Sequence, residues 1–206
     1  SSGEFGTVNR MKGEIAAEIC ALLAFSAIKN NDKVGLIIFT DEVEKFVAPK
    51  KGKSHVLRVV REILYHQPQG RGTDIGKALQ FLSHITHRRS VVFLVSDFIN
   101  SDYEKALQIA NRRHDVIAIS ISDPRERELP NVGFIELEDA ESGETFLLDT
   151  SDAAVRNGIS RRSQQDRLSR EKLFRSIQVD HIDINTQDSY IEPLIRFFRM
   201  RAKRFR

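Results

Sequence analysis

Three short stretches carry oxygen atoms of the types that hold a small hard cation: Ser1-Ser2-Gly3-Glu4-Phe5-Gly6-Thr7, Gly70-Arg71-Gly72-Thr73-Asp74 and Ser96-Asp97. Asp97 closes the uninterrupted apolar run Val91-Val92-Phe93-Leu94-Val95, the pattern of a strand buried on both faces of a parallel sheet. In open α/β sheets ligands gather at the carboxyl ends of strands, so the Asp97 carboxylate is expected at such an edge. Thr73 follows a glycine-rich turn and opens a helix, which directs its hydroxyl to the same kind of edge. A hydroxyl of the first stretch and that of Thr73 are neutral and the Asp97 carboxylate is charged; together they make an oxygen set suited to Mg²⁺ or Mn²⁺. Neutral ligands leave the ion electrophilic, so a carboxylate from a partner can complete its shell. No evident nucleophile or general base accompanies these residues. The chemistry expected is docking, not turnover.

Plainer roles compete for the same residues. Thr73 or Asp74 is expected to cap the following helix, and Asp97 could be a turn carboxylate, although a Ser-Asp pair closing a buried strand is costly without a partner. Gly3-x-x-Gly6-Thr7 lacks the Gly-Lys-Ser/Thr ending of a phosphate loop. The six histidines are scattered without zinc-ligand spacing, which suits surface or supporting roles. Asp41 and Asp123 also follow strands, and turn chemistry accounts for both. The single cysteine, Cys20, sits in a helical run as a small apolar residue, so no disulfide framework exists.

The elements that must position the oxygen ligands follow from periodicity. Apolar stripes predict helices over residues 9–30, 54–64 (capped by Ser54, with Val56, Leu57, Val60, Ile63 and Leu64 facing the core), 74–82, 102–109, 152–178 and 190–206. Strands are expected at residues 33–40, 43–47 (closed by Pro49), 91–96, 115–122 and 181–185, with a hairpin of 134–137 and 145–148 around Glu141-Ser142-Gly143-Glu144. This order predicts an α/β fold, a doubly wound and mostly parallel sheet with helices on both faces and one antiparallel edge strand. The 206 residues, 40% of them apolar, suit one domain, with a core over residues 1–125 and an extension over 126–206. In such a sheet the strand before the first helix lies centrally, and here no residues supply it. The net charge is only +3. No apolar run reaches the roughly 18 residues of a membrane span, which with the lone cysteine suggests a cytoplasmic setting. The last helix alternates Leu194, Phe197, Phe198 and Met200 with Arg196, Arg199, Arg201, Lys203 and Arg204; a helix packed through its apolar side is the first expectation, and peripheral contact with an anionic membrane the sharper one.

Read together, Ser2-Gly3-Glu4-Phe5-Gly6-Thr7, Leu22-Leu23-Ala24-Phe25-Ser26-Ala27, Asp32-Lys33-Val34-Gly35-Leu36, Gly70-Arg71-Gly72-Thr73-Asp74 and Val95-Ser96-Asp97-Phe98 resemble the bacterial DUF58 proteins, which carry a von Willebrand factor A-like domain. His114-Asp115-Val116, Arg127 to Gly133 and Asp149-Thr150-Ser151 extend the resemblance over essentially the whole chain. It implies a metal-ion-dependent adhesion site of the pattern Asp-x-Ser-x-Ser, then Thr, then Asp. Ser2 matches the final serine, Ser1 the variable residue before it, Thr73 the threonine and Asp97 the later aspartate; the first Asp and Ser would precede residue 1. The resemblance further implies a non-enzymatic adaptor that docks an acidic protein group, with a MoxR-type AAA+ ATPase as partner, in the assembly or maturation of other complexes. The competing readings are a metal-dependent hydrolase, in which Asp97 and Thr73 hold an ion that activates water, and nucleic-acid binding through the basic terminal helix. Small-molecule substrates are not expected.

Overall fold

The computed structural model describes residues 6–7, 10–70, 72–99, 102–124, 129–138 and 145–204. In chain order these form β1 (Gly6–Thr7), β2 (Arg10–Met11), α1 (Lys12–Lys29), β3 (Val34–Phe39), β4 (Val43–Lys50), α2 (Lys53–Tyr65), α3 (Ile75–Ile85), β5 (Val91–Ser96), α4 (Glu104–Arg113), β6 (Asp115–Ser122), β7 (Phe134–Glu138), β8 (Thr145–Asp149), α5 (Ala153–Ser176), β9 (Asp180–Asn185) and α6 (Ile191–Arg204). The α/β class expected from the periodicity is the class observed. The chain folds as two compact units: one holds Lys12, Val91–Ile99 and Asp115–Arg206, the other Gly13–Ser90 and Asn100–His114.

The first unit is built on a parallel sheet in the order β5-β6-β9. Its middle strand, β6, is an unbroken run of small and branched residues, and residues 116–121 are all buried. Such a strand is stable only with apolar cover on both faces, and two helices provide it. On one face stand Phe93, Ile117, Ile119, Ile182 and Ile184, alternate residues of the three strands. Helix α6 lies against them, with Phe198 at 6.1 Å (ring centroids) from Phe93. Arg201 of α6 then bridges the carboxylates that begin two of these strands, Asp180 at 2.8 Å and Asp115. The expectation of an α6 packed through one side is met by buried Leu194 and Phe197.

The opposite face is polar toward its carboxyl end, because the register aligns Ser96 with Ser120 and Ser120 with Asp183. Helix α5 covers it through Phe174, whose ring is 4.8 Å from His181 and 5.2 Å from Phe98. Beneath this cover Ser120 Oγ lies 2.8 Å from Asp183 Oδ1 and 2.8 Å from His181 Nε2. A carboxylate only accepts, so the serine proton goes to Asp183 and His181 donates from Nε2. Arg167 closes the chain at 3.2 Å from Asp183 Oδ2. Although it contains Ser, His and Asp, this is not a nucleophilic triad: the serine stands between the other two and is fully buried.

The second unit pairs β3 with β4 antiparallel and packs helices on that hairpin. Its core is Ala24, Val47, Val56 and Val59, backed by Ile28, Val34, Leu36, Val60 and Ile63. Cys20 in α1 is only half-buried, yet its thiol is pushed up to about 11 by desolvation.

Several expected boundaries and faces differ. Strand β4 continues through Pro49 to Lys50; a proline is tolerated where no neighbour needs its N–H. Helix α2 is preceded by Gly52 at φ 102° with no side-chain cap, so Ser54 lies inside the helix. The buried face of α2 is Val56 and Val59, while Leu57 and Leu64 are exposed, because one hairpin covers only a narrow stripe of a helix. Helix α4 begins at Glu104 and buries Leu107 and Ala110, leaving Ile109 exposed. Strand β5, expected to be buried on both faces, pairs only with β6 among the described residues, and its first residue, Val91, is 57% exposed. The turn 141–144 between β7 and β8 lies outside the described residues, while the pairing Phe134↔Asp149 to Glu138↔Thr145 is as expected.

Burial lowers His181 from an ordinary 6.5 to about 4; the Asp183 charge opposes this, and Arg170 and Arg167 reinforce it against Glu171. His114, buried at the end of α4 with neither ring nitrogen hydrogen-bonded among the described residues, is lowered by desolvation and then by Arg113. Both histidines are therefore neutral in the fold at pH values where the unfolded chain protonates them. Stability should be full above pH 6.5 and fall as the pH drops from 6.5 toward 4. His181→Gln, which keeps a donor for Ser120, should remove roughly 2–3 kcal/mol of that loss. Urea unfolding at a series of pH values measures it; an unchanged slope in the variant would show that His181 does not titrate in this window.

Candidate metal centre

Asp97 follows β5 directly. The chain turns sharply there: Phe98 sits in the left-handed region at φ 55°, an uncommon conformation for a large side chain. Burial holds it there, since Phe98 is 4% exposed and its ring packs edge-on to Phe174. The peptide N–H of Phe98 donates to Ser96 Oγ at 3.2 Å, and Arg170 of α5 donates to the Asp97 carbonyl at 2.9 Å. Helix α5 thus helps shape the loop that presents Asp97.

The Asp97 carboxylate is itself 10% exposed and faces a lysine: Lys12 Nζ lies 3.8 Å from Oδ2, with the Lys12 side chain 5% exposed. Its other oxygen, Oδ1, has a long contact of 3.4 Å from the Ile99 N–H. The turn role is thus weak and the dominant partner is a buried cation. Removing Lys12 would leave an uncompensated buried charge on Asp97, typically costing about 3–5 kcal/mol. The next strand ends similarly. Asp123 is fully buried and accepts from Thr186 Oγ1 at 2.7 Å, joining the ends of β6 and β9. Beyond the turn chemistry expected of Asp123, its carboxylate ties two strands together. Asp41, in contrast, is exposed.

Thr73 belongs to the second unit. The helix cap left open between two residues goes to Asp74, whose carboxylate accepts from Lys77 N–H at 2.8 Å. The loop before it is pinned by Glu44 of β4. Oε1 of Glu44 accepts from the backbone N–H groups of Gln69 and Gly70, both at 2.8 Å, and from Thr40 Oγ1 at 2.8 Å. Its Oε2 lies 2.5 Å from His66 Nε2. One residue further along, Asp74 N–H donates to the Thr40 carbonyl at 2.7 Å. A glycine is required at position 70, because a Cβ there would overlap the Thr40 and Asp41 side chains. Thr73 is thereby fixed from both sides, by Glu44 through Gly70 and by Thr40 through Asp74.

Of the three expected ligands, Ser2 lies outside the described residues, and Thr73 and Asp97 are each described within their own unit. By donor chemistry a hydroxyl and a carboxylate suit Mg²⁺, and the buried ammonium beside Asp97 shows that a positive charge is accommodated there. Among the described residues no group of three or more His, Cys, Asp or Glu side chains is placed to hold a metal ion. Sequence reasoning missed Lys12 and Glu44. Lysine at the first position of a helix runs against the helix dipole, a signal that could have singled out Lys12. Nothing in the alternation of β4 distinguishes Glu44 from Lys45 beside it.

The comparisons give the chain relatives but no chemistry. The family described as "Protein of unknown function DUF58" matches residues 1–169. Uncharacterized proteins of Mycobacterium tuberculosis and Mycobacterium bovis are each 27% identical over 206 residues, covering 98% of this chain. The chain spans 65% of the length of these relatives. An uncharacterized protein of Mycobacterium avium is 30% identical over 137 residues, 66% of this chain and 80% of that protein. No solved structure matches.

Burial alone would raise the Glu44 carboxyl, but the donors from Gly70, His66, Thr40 and Gln69 outweigh it and hold it at about 2, against an ordinary 4.5. A lowered acid contributes stability above its unfolded value, and that contribution is lost as pH falls from 4.5 toward 2. Glu44→Gln replaces one acceptor oxygen by a donor in a ring of donors. Hydrogen exchange at the Gln69 and Gly70 amides should quicken about ten-fold or more at neutral pH; unchanged protection would mean Glu44 does not hold the loop.

Proposed function

Because the chain belongs to the DUF58 family, we propose from the site itself that it is a protein-interaction domain in which Asp97, with Thr73 and Ser2, holds a divalent cation. The observation that carries this reading is the buried Asp97 carboxylate, closing a strand of the parallel sheet with a cation already beside it. Ser2 and Thr73 come from the resemblance to the metal-ion-dependent adhesion site and would add neutral oxygens. Bound there, Mg²⁺ or Mn²⁺ would supply an electrophilic position for a carboxylate of the partner. The residues of the chain do the rest. Glu44 and Asp74 fix the Thr73 loop, while Phe98 and Arg170 fix the turn at Asp97.

The partner class implied by the family resemblance is a MoxR-type AAA+ ATPase, with this domain acting as an adaptor during assembly or maturation of other complexes. Since the chain spans 65% of its M. tuberculosis relative, the partner is proposed for the whole protein. No helix among the described residues is long and apolar enough to cross a membrane, and a cytoplasmic setting fits such a partner.

Calorimetric titration of the full-length protein with Mg²⁺ and Mn²⁺ tests the reading. Binding should occur, and Asp97→Asn and Thr73→Ala should each weaken it at least about ten-fold, with folding checked by circular dichroism. Absence of binding in the unsubstituted protein, or indifference to both substitutions, would remove the metal from the mechanism.

A further inference from the structure

Lys12 is 4% exposed. Lysine is rarely so buried without a partner, and Asp97 is one partner here. The separation of 3.8 Å is that of an ion pair and exceeds the 2.7–2.9 Å or so of a direct charge-assisted hydrogen bond. The ammonium therefore offsets the charge of Asp97 without consuming the lone pairs of Oδ2. The other oxygen receives only the 3.4 Å contact from Ile99. Asp97 is thus neutralised in charge while its capacity to coordinate stays largely unused.

A metal ion brings these two facts into conflict. Mg²⁺ or Mn²⁺ on Oδ2 would stand about 2.1 Å from it. With Nζ 3.8 Å from the same oxygen, the ion could be no more than about 6 Å from the ammonium. Two positive charges that close, among side chains 5% and 10% exposed, repel strongly because little water screens them. The lysine stem is flexible, so the relief available is for the ammonium to swing off the carboxylate.

We propose that Lys12 is a tethered cation that competes with the divalent ion for Asp97: the metal-free protein is neutralised by Lys12, and metal binding expels it. The inference rests on the reading of Asp97 as a metal ligand and adds the residue that sets its affinity. Lys12 lowers the affinity for the ion, and in exchange prevents an unpaired buried carboxylate whenever the ion is absent.

The test is Mn²⁺ calorimetry on the full-length protein and on Lys12→Met, which keeps the stem and removes the charge. The variant should bind at least about ten-fold more tightly than the parent, the scale on which one neighbouring charge acts. A second measurement does not depend on the variant's folding. Lysines of the unsubstituted protein are ¹³C-dimethylated, and the Lys12 signal, assigned with Lys12→Arg, should shift on adding Mg²⁺ and stay unshifted in Asp97→Asn. Equal or weaker Mn²⁺ binding by a folded Lys12→Met, or a Lys12 signal that ignores saturating Mg²⁺, overturns the competition while leaving the metal site standing. Failure of both parent and Lys12→Met to bind any Mn²⁺ overturns the metal reading and the competition together.

Discussion

The parallel ladder of β5, β6 and β9 governs where chemistry can occur in the first unit. Parallel strands run in one direction, so the residues that follow them arrive at one edge. Ser96-Asp97, Ser122-Asp123 and Asn185-Thr186 all sit just where the apolar runs stop. The most buried carboxylates there are answered by the protein: Asp97 by Lys12, Asp123 by Thr186. The ladder also lines up Ser96, Ser120 and Asp183 across the sheet, which makes one face partly polar and requires a helix with its own polar groups to cover it. Helix α5 answers with Arg167 and Arg170 alongside Phe174.

The second unit solves a different problem, that of holding a glycine-rich loop in one conformation. A loop with glycines at 70 and 72 loses much conformational freedom when ordered. One carboxylate, Glu44, collects donors from two loop amides, a threonine and a histidine. Four donors on two oxygens account for the lowered pKa of Glu44 and tie the loop to β4. The absent side chain of Gly70 matters equally, since that space is taken by Thr40 and Asp41.

The two units therefore use their buried charges oppositely. Glu44 is saturated with hydrogen bonds and its role is finished in holding the loop. Asp97 has a nearby cation but few close hydrogen bonds, so its oxygens keep the capacity to coordinate something else. This contrast, and not the mere presence of an acid at a strand end, separates the saturated carboxylate from the one whose oxygens are largely unengaged.

The alternation of apolar residues determined the α/β class, the limits of β6 and the terminal helix to within two residues, and the position of Asp97 at the end of a strand. The cap of α3 was narrowed to Thr73 or Asp74, because capping depends on atoms a few residues apart. The partners of the buried charges lay beyond that reach. Lys12 and Asp97 are 85 positions apart, Glu44 and Gly70 are 26 apart, and Ser120 and His181 are 61 apart. No periodicity encodes pairs that meet only after strands have registered and loops have closed. The misjudged face of α2 has the same origin: a sequence shows which residues are apolar, whereas only packing decides how wide a stripe its neighbours cover.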